Sequence, residues 1–212
     1  MASSMIHIAV TSEINKTINK NRKDLLIGTI SPDLGQILGI SKDITHFQKE
    51  KDIPDLQKFL DKYKDNLDDD FVLGYYIHLY TDYIWFKYFM PNFLKDGYIY
   101  KLDGTKIKLE NSEEENYYYK KYIYNDYTNL NITLIDKYDL KLDIFYEELP
   151  KFNNIIKEIP MSKIDVIVNK AGVIIENTKV NKAYVFDMDI IDKFVEECKV
   201  KIIDDLKKLG IC

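Results

Sequence analysis

Cysteine is scarce in this chain: 212 residues hold two, Cys198 and Cys212. Both lie near the C-terminus without the paired spacing of a thiolate metal site. This excludes a disulfide framework and a cysteine-ligated metal, and Cys198 is expected to pack on a helix face. Long apolar runs are missing as well; none approaches the roughly 18 residues that a membrane-spanning helix needs. There is no excess of positive charge, with 30 Lys and Arg against 35 Asp and Glu, a formal net charge of -5 and a pI near 5.3. The basic footprint of a nucleic-acid-binding protein is therefore absent. Nor does the N-terminus carry the basic and then apolar pattern of a secretory leader, so a cytoplasmic location is expected. Met5 offers a second start, and residues 1–4 read either as a remnant added ahead of it or as the authentic beginning. A glycine-rich phosphate loop, a Ser-His-Asp order and an adjacent His-Asp dipeptide are all lacking. Histidine is rare too: His7, His46 and His78 are the three, and none follows His78.

What is present suits one all-α domain over 1–212, long enough to bury a sizeable core. Ile6, Val10, Ile14 and Ile18 form an i,i+4 stripe, which predicts a helix. A second helix is expected from Asp24 to Ile30. It ends in a turn where Pro32 biases Ser31 away from the helical region and Gly35 permits a sharp bend. Gly39 to Phe47 reads as loop, and Asp55 to Tyr63 as helix. The stretch from Asp70 to Trp85 is an apolar, aromatic helix with Asp68, Asp69 and Asp70 favourably placed at its N-terminus, and Pro91 closes it. Tyr98–Leu102 and Thr105–Leu109 alternate around Asp103-Gly104, a strong hairpin signal, and this inserted hairpin at about 98–109 is expected to be the only sheet. Ser112 with Glu115 has the spacing of a capping box and opens a tyrosine-rich helix to about Asp136. Helices from Ser162, read as N-cap, to Glu176 and from Asp187 to Leu209 complete the chain, the last stopped by Gly210.

His78 and Asp82 lie four residues apart and therefore share one helix face. A neutral imidazole and a carboxylate so placed suit a zinc-type cation, and they also suit a core histidine steadied by its neighbour. Asp33 sits in a Ser-Pro-Asp turn that can aim a carboxylate. With His7 and His46 these groups make a nitrogen and oxygen donor set that favours Zn²⁺ over Mg²⁺ or Ca²⁺. Asp126 and Asn129, three apart on a predicted helix, could add oxygen ligands or simply form a solvated face. Trp85 and the tyrosines Tyr117, Tyr118, Tyr119, Tyr122, Tyr124 and Tyr127 could line a pocket or serve the core.

Gly28-Thr29-Ile30-Ser31-Pro32-Asp33, Thr45-His46-Phe47 and Gly74-Tyr75-Tyr76-Ile77-His78-Leu79-Tyr80-Thr81-Asp82, preceded by His7 on the first helix, resemble the motifs of the zinc-dependent phospholipase C family, related to the P1-type nucleases. The resemblance covers about Ile6 to Trp85. It implies a phospholipase C/P1 nuclease-like helical fold and a zinc-dependent hydrolase of phosphoesters, with a small-molecule or lipid substrate. It also implies that Asp33, His46, His78 and Asp82 surround one zinc, that Asp82 bridges to a second shared with His7, and that Asp33 acts as ligand or as the base for water. The family's third metal relies on histidines that follow the His-x-x-x-Asp helix. This chain lacks them, so one or two zinc ions are expected. Two other readings stand at this point: a member acting on nucleotides or single-stranded nucleic acid, and a helical binding module without metal.

Overall fold

The computed structural model describes residues 1–50, 52–176, 178 and 182–211, and Cys212 lies outside the described residues. The fold is mostly helical, and its centre is α6, Asp70–Ile84. Nearly every side chain of this helix is buried, as the apolar run around its whole circumference requires. Asp69 caps it by accepting from the Phe71 and Val72 backbone N–H groups, and Asp70 accepts from the N–H of Asn21. The α-helix proper ends earlier than Pro91: Trp85–Phe89 is a π-helical turn, and Met90–Asn92 a 3₁₀ turn with Pro91 inside it.

Helix α2, Arg22–Ile30, lies against α6 so closely that the backbones touch. A Cβ on Gly74 would meet the Leu25 carbonyl oxygen at 2.0 Å, and one on Gly28 would meet that of Phe71 at 2.1 Å. Only glycine at both crossing points permits this approach. Helix α1, Ser4–Ile18, packs on α2, on α6 and on the C-terminal helix, and Ser3 caps it. Residues 1–4 are built into the fold: Ala2 is buried, and the Met1 carbonyl accepts from the Tyr127 hydroxyl.

The stretch expected as loop between Gly39 and Phe47 contains a short helix. After α3, Leu34–Leu38, the chain forms α4, Lys42–Thr45, because Ser41 caps it through the Asp43 N–H. Next comes an antiparallel pair, β1 (Gln48–Glu50) with β2 (Ile53–Pro54), and then α5, Leu56–Tyr63. The inserted hairpin is therefore not the only sheet. It is also wider than two strands: β3 (Leu94–Lys95), β4 (Tyr98–Tyr100) and β5 (Lys106–Lys108) run in the order β3-β4-β5, with Ile99 opposite both Leu94 and Ile107. The Asp103-Gly104 turn joins the last two, with Gly104 at φ 79°.

The tyrosine-rich helix is capped by Asn111 rather than opened by Ser112, since the Asn111 side chain accepts from the Glu113 and Glu114 N–H groups. It runs as α7, Ser112–Tyr118, a π-helical stretch Tyr119–Tyr124, and α8, Asn125–Lys137. Ser162 is likewise not a cap; it falls within a 3₁₀ turn, Met161–Lys163, that leads into α9, Ile164–Glu176. Helix α10, Met188–Lys208, is capped by Asp187, buries Cys198 and is followed by Gly210 at φ 75°. Among the described residues no helix is long and apolar enough to cross a membrane.

Candidate metal centre

Four elements deliver the five candidate ligands. His7 comes from α1, Asp33 from the 3₁₀ turn Ser31–Asp33 at the end of α2, His46 from the residue after α4, and His78 with Asp82 from α6. All five are buried. Asp82 straddles the cluster: its Oδ1 lies 3.2 Å from His7 Nε2, and its Oδ2 lies 3.6 Å from His78 Nε2 and 3.9 Å from His46 Nε2. Asp33 Oδ1 is 3.4 Å from His46 Nε2, and the two Nε2 atoms of His46 and His78 are 3.2 Å apart. The His7 and His78 rings stack at 3.9 Å.

Backbone and hydroxyl partners aim the rings. His78 Nδ1–H donates to the Thr29 carbonyl at 2.7 Å, which leaves the Nε2 lone pair pointing into the cluster. Thr29 is itself fixed, its hydroxyl bonded to the Gly74 carbonyl and paired with that of Thr11. His46 Nδ1 pairs with the Thr45 hydroxyl at 2.9 Å, and the Thr45 carbonyl is held by the Tyr75 hydroxyl. Phe47, the next residue, sits at φ 51°, an uncommon conformation for a bulky side chain. Its ring is wedged against Phe59 and Tyr63. Thr29 and Thr45 are the positioning residues that sequence reasoning passed over. Both lay inside quoted motifs, but nothing local says that a carbonyl or a hydroxyl will meet a distant ring.

The electrostatics favour cation binding. Burial, with His7 alongside, holds His78 down to about 3 against the pull of Asp33 and Asp82, so its imidazole is neutral at physiological pH. Burial works to raise Asp33, but the adjoining His46, with the charges of His78 and His7, takes it down to about 2. Asp82 is lowered as well: burial is outweighed by His7, the buried N-terminus and His78. Two ionised carboxylates therefore sit in the interior, and among the described residues neither is paired with a Lys or Arg. Among the described residues, His7 Nδ1 and Nε2, Asp33 Oδ1 and Asp82 Oδ2 are buried without a hydrogen-bond partner. Such orphaned atoms are costly to bury unless an ion or an ordered water satisfies them.

The residues fit zinc on these grounds. His7, His78 and Asp82 form one group whose donor atoms lie within 4.8 Å of one another, and Asp33, His46 and His78 form another. Tetrahedral ligands at zinc bond lengths are separated by about 3.3 Å. The spacings of His46 to His78 and of His46 to Asp33, 3.2 and 3.4 Å, are close to that value.

A cleft of about 810 Å³ opens beside the cluster, and Asp33 is the candidate ligand that reaches it. Its walls include Phe86, Met90, Leu94, Ile167 and Ile174, and also Tyr119, Tyr124 and Tyr127. Three of the six tyrosines singled out in the sequence therefore line it, and Tyr117, Tyr118 and Tyr122 do not. Trp85 belongs to the core, ringed by Phe89, Phe186 and Phe194. Asp126 and Asn129 join neither ligand group. The Asp126 carboxylate is spent on the backbone N–H groups of Tyr184, Val185 and Phe186, and Asn129 donates to the Lys182 carbonyl. Both are buried rather than on a solvated face, and they hold the 182–186 segment against α8.

Comparison with protein-family models, with curated proteins and with solved structures finds no match for this chain.

Proposed function

We propose that the chain is a zinc-dependent hydrolase of phosphoesters, as its resemblance to the zinc-dependent phospholipase C family implies. One observation carries the reading: Asp82, its Oδ1 also accepting from the Ala2 N–H, presents that oxygen to His7 and the other to His46 and His78, in a buried cluster where Asp82 Oδ2, Asp33 Oδ1 and both His7 nitrogens have no hydrogen-bond partner among the described residues. Asp33, His46, His78 and Asp82 would hold one zinc ion, and His7 with Asp82 a second. Bound zinc supplies a water acidified toward neutrality and a positive field for a phosphoryl oxygen.

The chain's own residues do the rest. Thr29 and Thr45 fix the two imidazoles, so that no reorientation is needed when the ion and the substrate arrive. Asp33 lies at the boundary between cluster and cleft. A carboxyl held near 2 is a weak proton acceptor at neutral pH, so Asp33 is better suited to hold the cation than to serve as the base. The apolar and aromatic parts of the cleft wall suit a phosphoester whose organic part is apolar.

The test is elemental analysis of zinc-supplemented protein together with turnover of bis(p-nitrophenyl) phosphate. One or two zinc ions per chain are expected in the wild type, with zinc and turnover both lost in His46→Ala and in Asp82→Ala. A wild type without zinc, or an Asp82→Ala variant with full zinc and activity, would overturn the reading.

A further inference from the structure

The described residues contain two π-helical stretches, Trp85–Phe89 and Tyr119–Tyr124, and both border the cleft, through Phe86 in one and Tyr119 and Tyr124 in the other. Residues five apart lie about 140° apart around an α-helix. The i→i+5 repeat of a π-turn brings them onto one face, and such turns cluster at functional sites. The π-stretch therefore aligns Tyr119 with Tyr124, and the α-helical turn that follows adds Tyr127, so one helix presents three phenols to one cavity.

The three phenols differ in what they are free to do. Tyr127 is fully engaged: its hydroxyl donates to the Met1 carbonyl at 2.6 Å. Tyr119 is mostly buried, and its hydroxyl interacts with that of Tyr127. Tyr124 is 48% exposed, and among the described residues its hydroxyl has no hydrogen-bond partner. Its ring is nevertheless fixed, edge-on to Tyr119 at 5.6 Å and stacked with Tyr127 at 5.7 Å. Burial, and then the charge of Asp33, push the Tyr124 phenol above the usual tyrosine range, which places it within electrostatic reach of the cluster. A rigid ring with an uncommitted donor, lining the same cavity as Asp33, is what an anionic oxygen needs. Lys170, also on the wall, has no carboxylate partner among the described residues, and the same wall carries Asp52, paired with Lys42, and Glu115.

We propose that Tyr124 is a substrate-contacting residue whose hydroxyl donates a hydrogen bond to a non-bridging phosphoryl oxygen of the phosphoester bound in the cleft. The assignment rests on the phosphoesterase reading above and deepens it. A phenol stabilises charge on the phosphoryl group without adding to the metal count, and it stays protonated at neutral pH.

The experiment compares wild type, Tyr124→Phe and Tyr117→Phe, all zinc-loaded, in three measurements: zinc content, steady-state hydrolysis of bis(p-nitrophenyl) phosphate, and calorimetric binding of inorganic phosphate. Tyr124→Phe keeps the ring and its packing, and should keep full zinc. A hydrogen bond to a charged group is worth about 1.5–3 kcal/mol, so kcat/KM and phosphate affinity should each fall by roughly 10- to 100-fold. Tyr117, 57% exposed and off the cleft, should leave both within about twofold when replaced by phenylalanine, since surface changes of this kind have little effect. Wild-type zinc and turnover with an unchanged Tyr124→Phe variant would overturn the role of Tyr124 alone. A wild type lacking zinc and turnover would overturn the metal reading and the proposal with it.

Discussion

His46 Nε2 and His78 Nε2 point at each other across 3.2 Å. Because His78 Nδ1–H is committed to the Thr29 carbonyl, its Nε2 is a bare lone pair. Without a cation, the contact is a hydrogen bond only if His46 carries its proton on Nε2 and accepts at Nδ1 from the Thr45 hydroxyl. With a cation between them, both Nε2 atoms are ligands, and His46 must move its proton to Nδ1 and donate to Thr45 instead. Zinc titration followed by ¹⁵N resonances of the histidine rings should therefore show a tautomer change at His46 and none at His78. An unchanged His46 ring would argue against the cluster as the binding site.

The same relationship makes Thr45 a positioning residue. Thr45→Val preserves the shape that packs against Gly35 and removes the acceptor that His46 Nδ1–H would use. Loss of such an outer-shell partner costs about 10- to 100-fold in metal affinity. Competition with a chromophoric chelator should register that loss, and Thr45→Ser should recover most of it.

Helix α6 holds the candidate ligands His78 and Asp82 where α2 comes within backbone contact of it. Gly74→Ala puts a methyl carbon 2.0 Å from the Leu25 carbonyl oxygen, and neither helix backbone can yield cheaply. The expected destabilisation is about 3 kcal/mol or more, at the upper end of single substitutions, read from the denaturant midpoint. Near-wild-type stability would mean that the two helices are not in direct backbone contact.

Asp126 offers a control that separates structure from ligation. Its carboxylate gathers three consecutive backbone N–H groups, so Asp126→Ala strands buried donors and should lower stability by about 2 kcal/mol or more. Zinc content should stay at the wild-type value. A fall in zinc in a variant that remains folded would return Asp126 to the site.

The zinc-free protein should weaken in acid in a definite window. His78 is held at about 3 when folded and titrates near 6.5 when unfolded, so below 6.5 the unfolded chain takes up a proton that the folded one does not. Stability therefore falls with a one-proton slope from about pH 6.5 toward 3. Asp33, at about 2 when folded and 3.8 when unfolded, contributes stability above 3.8 that is lost between those values. Denaturant unfolding at stepped pH checks the slope, and His78→Gln should flatten the upper part of it.

Local order was readable from residue pattern. The α1 stripe, the apolar α6, the Asp103-Gly104 turn and the Gly210 stop all lie in the chain as spacing and turn chemistry, since helices and hairpins are decided over a few residues. The boundaries that failed did so where a neighbour competed for the same role: Asn111 took the cap from Ser112, Ser41 turned an expected loop into α4, and two π-turns interrupted helices whose sequence alone reads as α. The ligand types were legible too, since His78 and Asp82 share a face by helical spacing alone.

Convergence was not legible in spacing or turn chemistry, and entered only as what the family resemblance implies. His7, Asp33 and His46 lie on separate elements, and the Gly28–Gly74 crossing, the seat of α1 on α6 and the Tyr75 hydroxyl holding the Thr45 carbonyl bring them to one point. Asp126 shows the converse: spacing made it a candidate ligand, and tertiary structure gave its oxygens to a loop nearly sixty residues on, at separations of 58 to 60. The sequence determined which chemistry was available, an oxygen and nitrogen donor set without thiolates or a basic surface. The tertiary structure decided which of those groups share a cavity, because long-range backbone contact is a property of packing that no local pattern records.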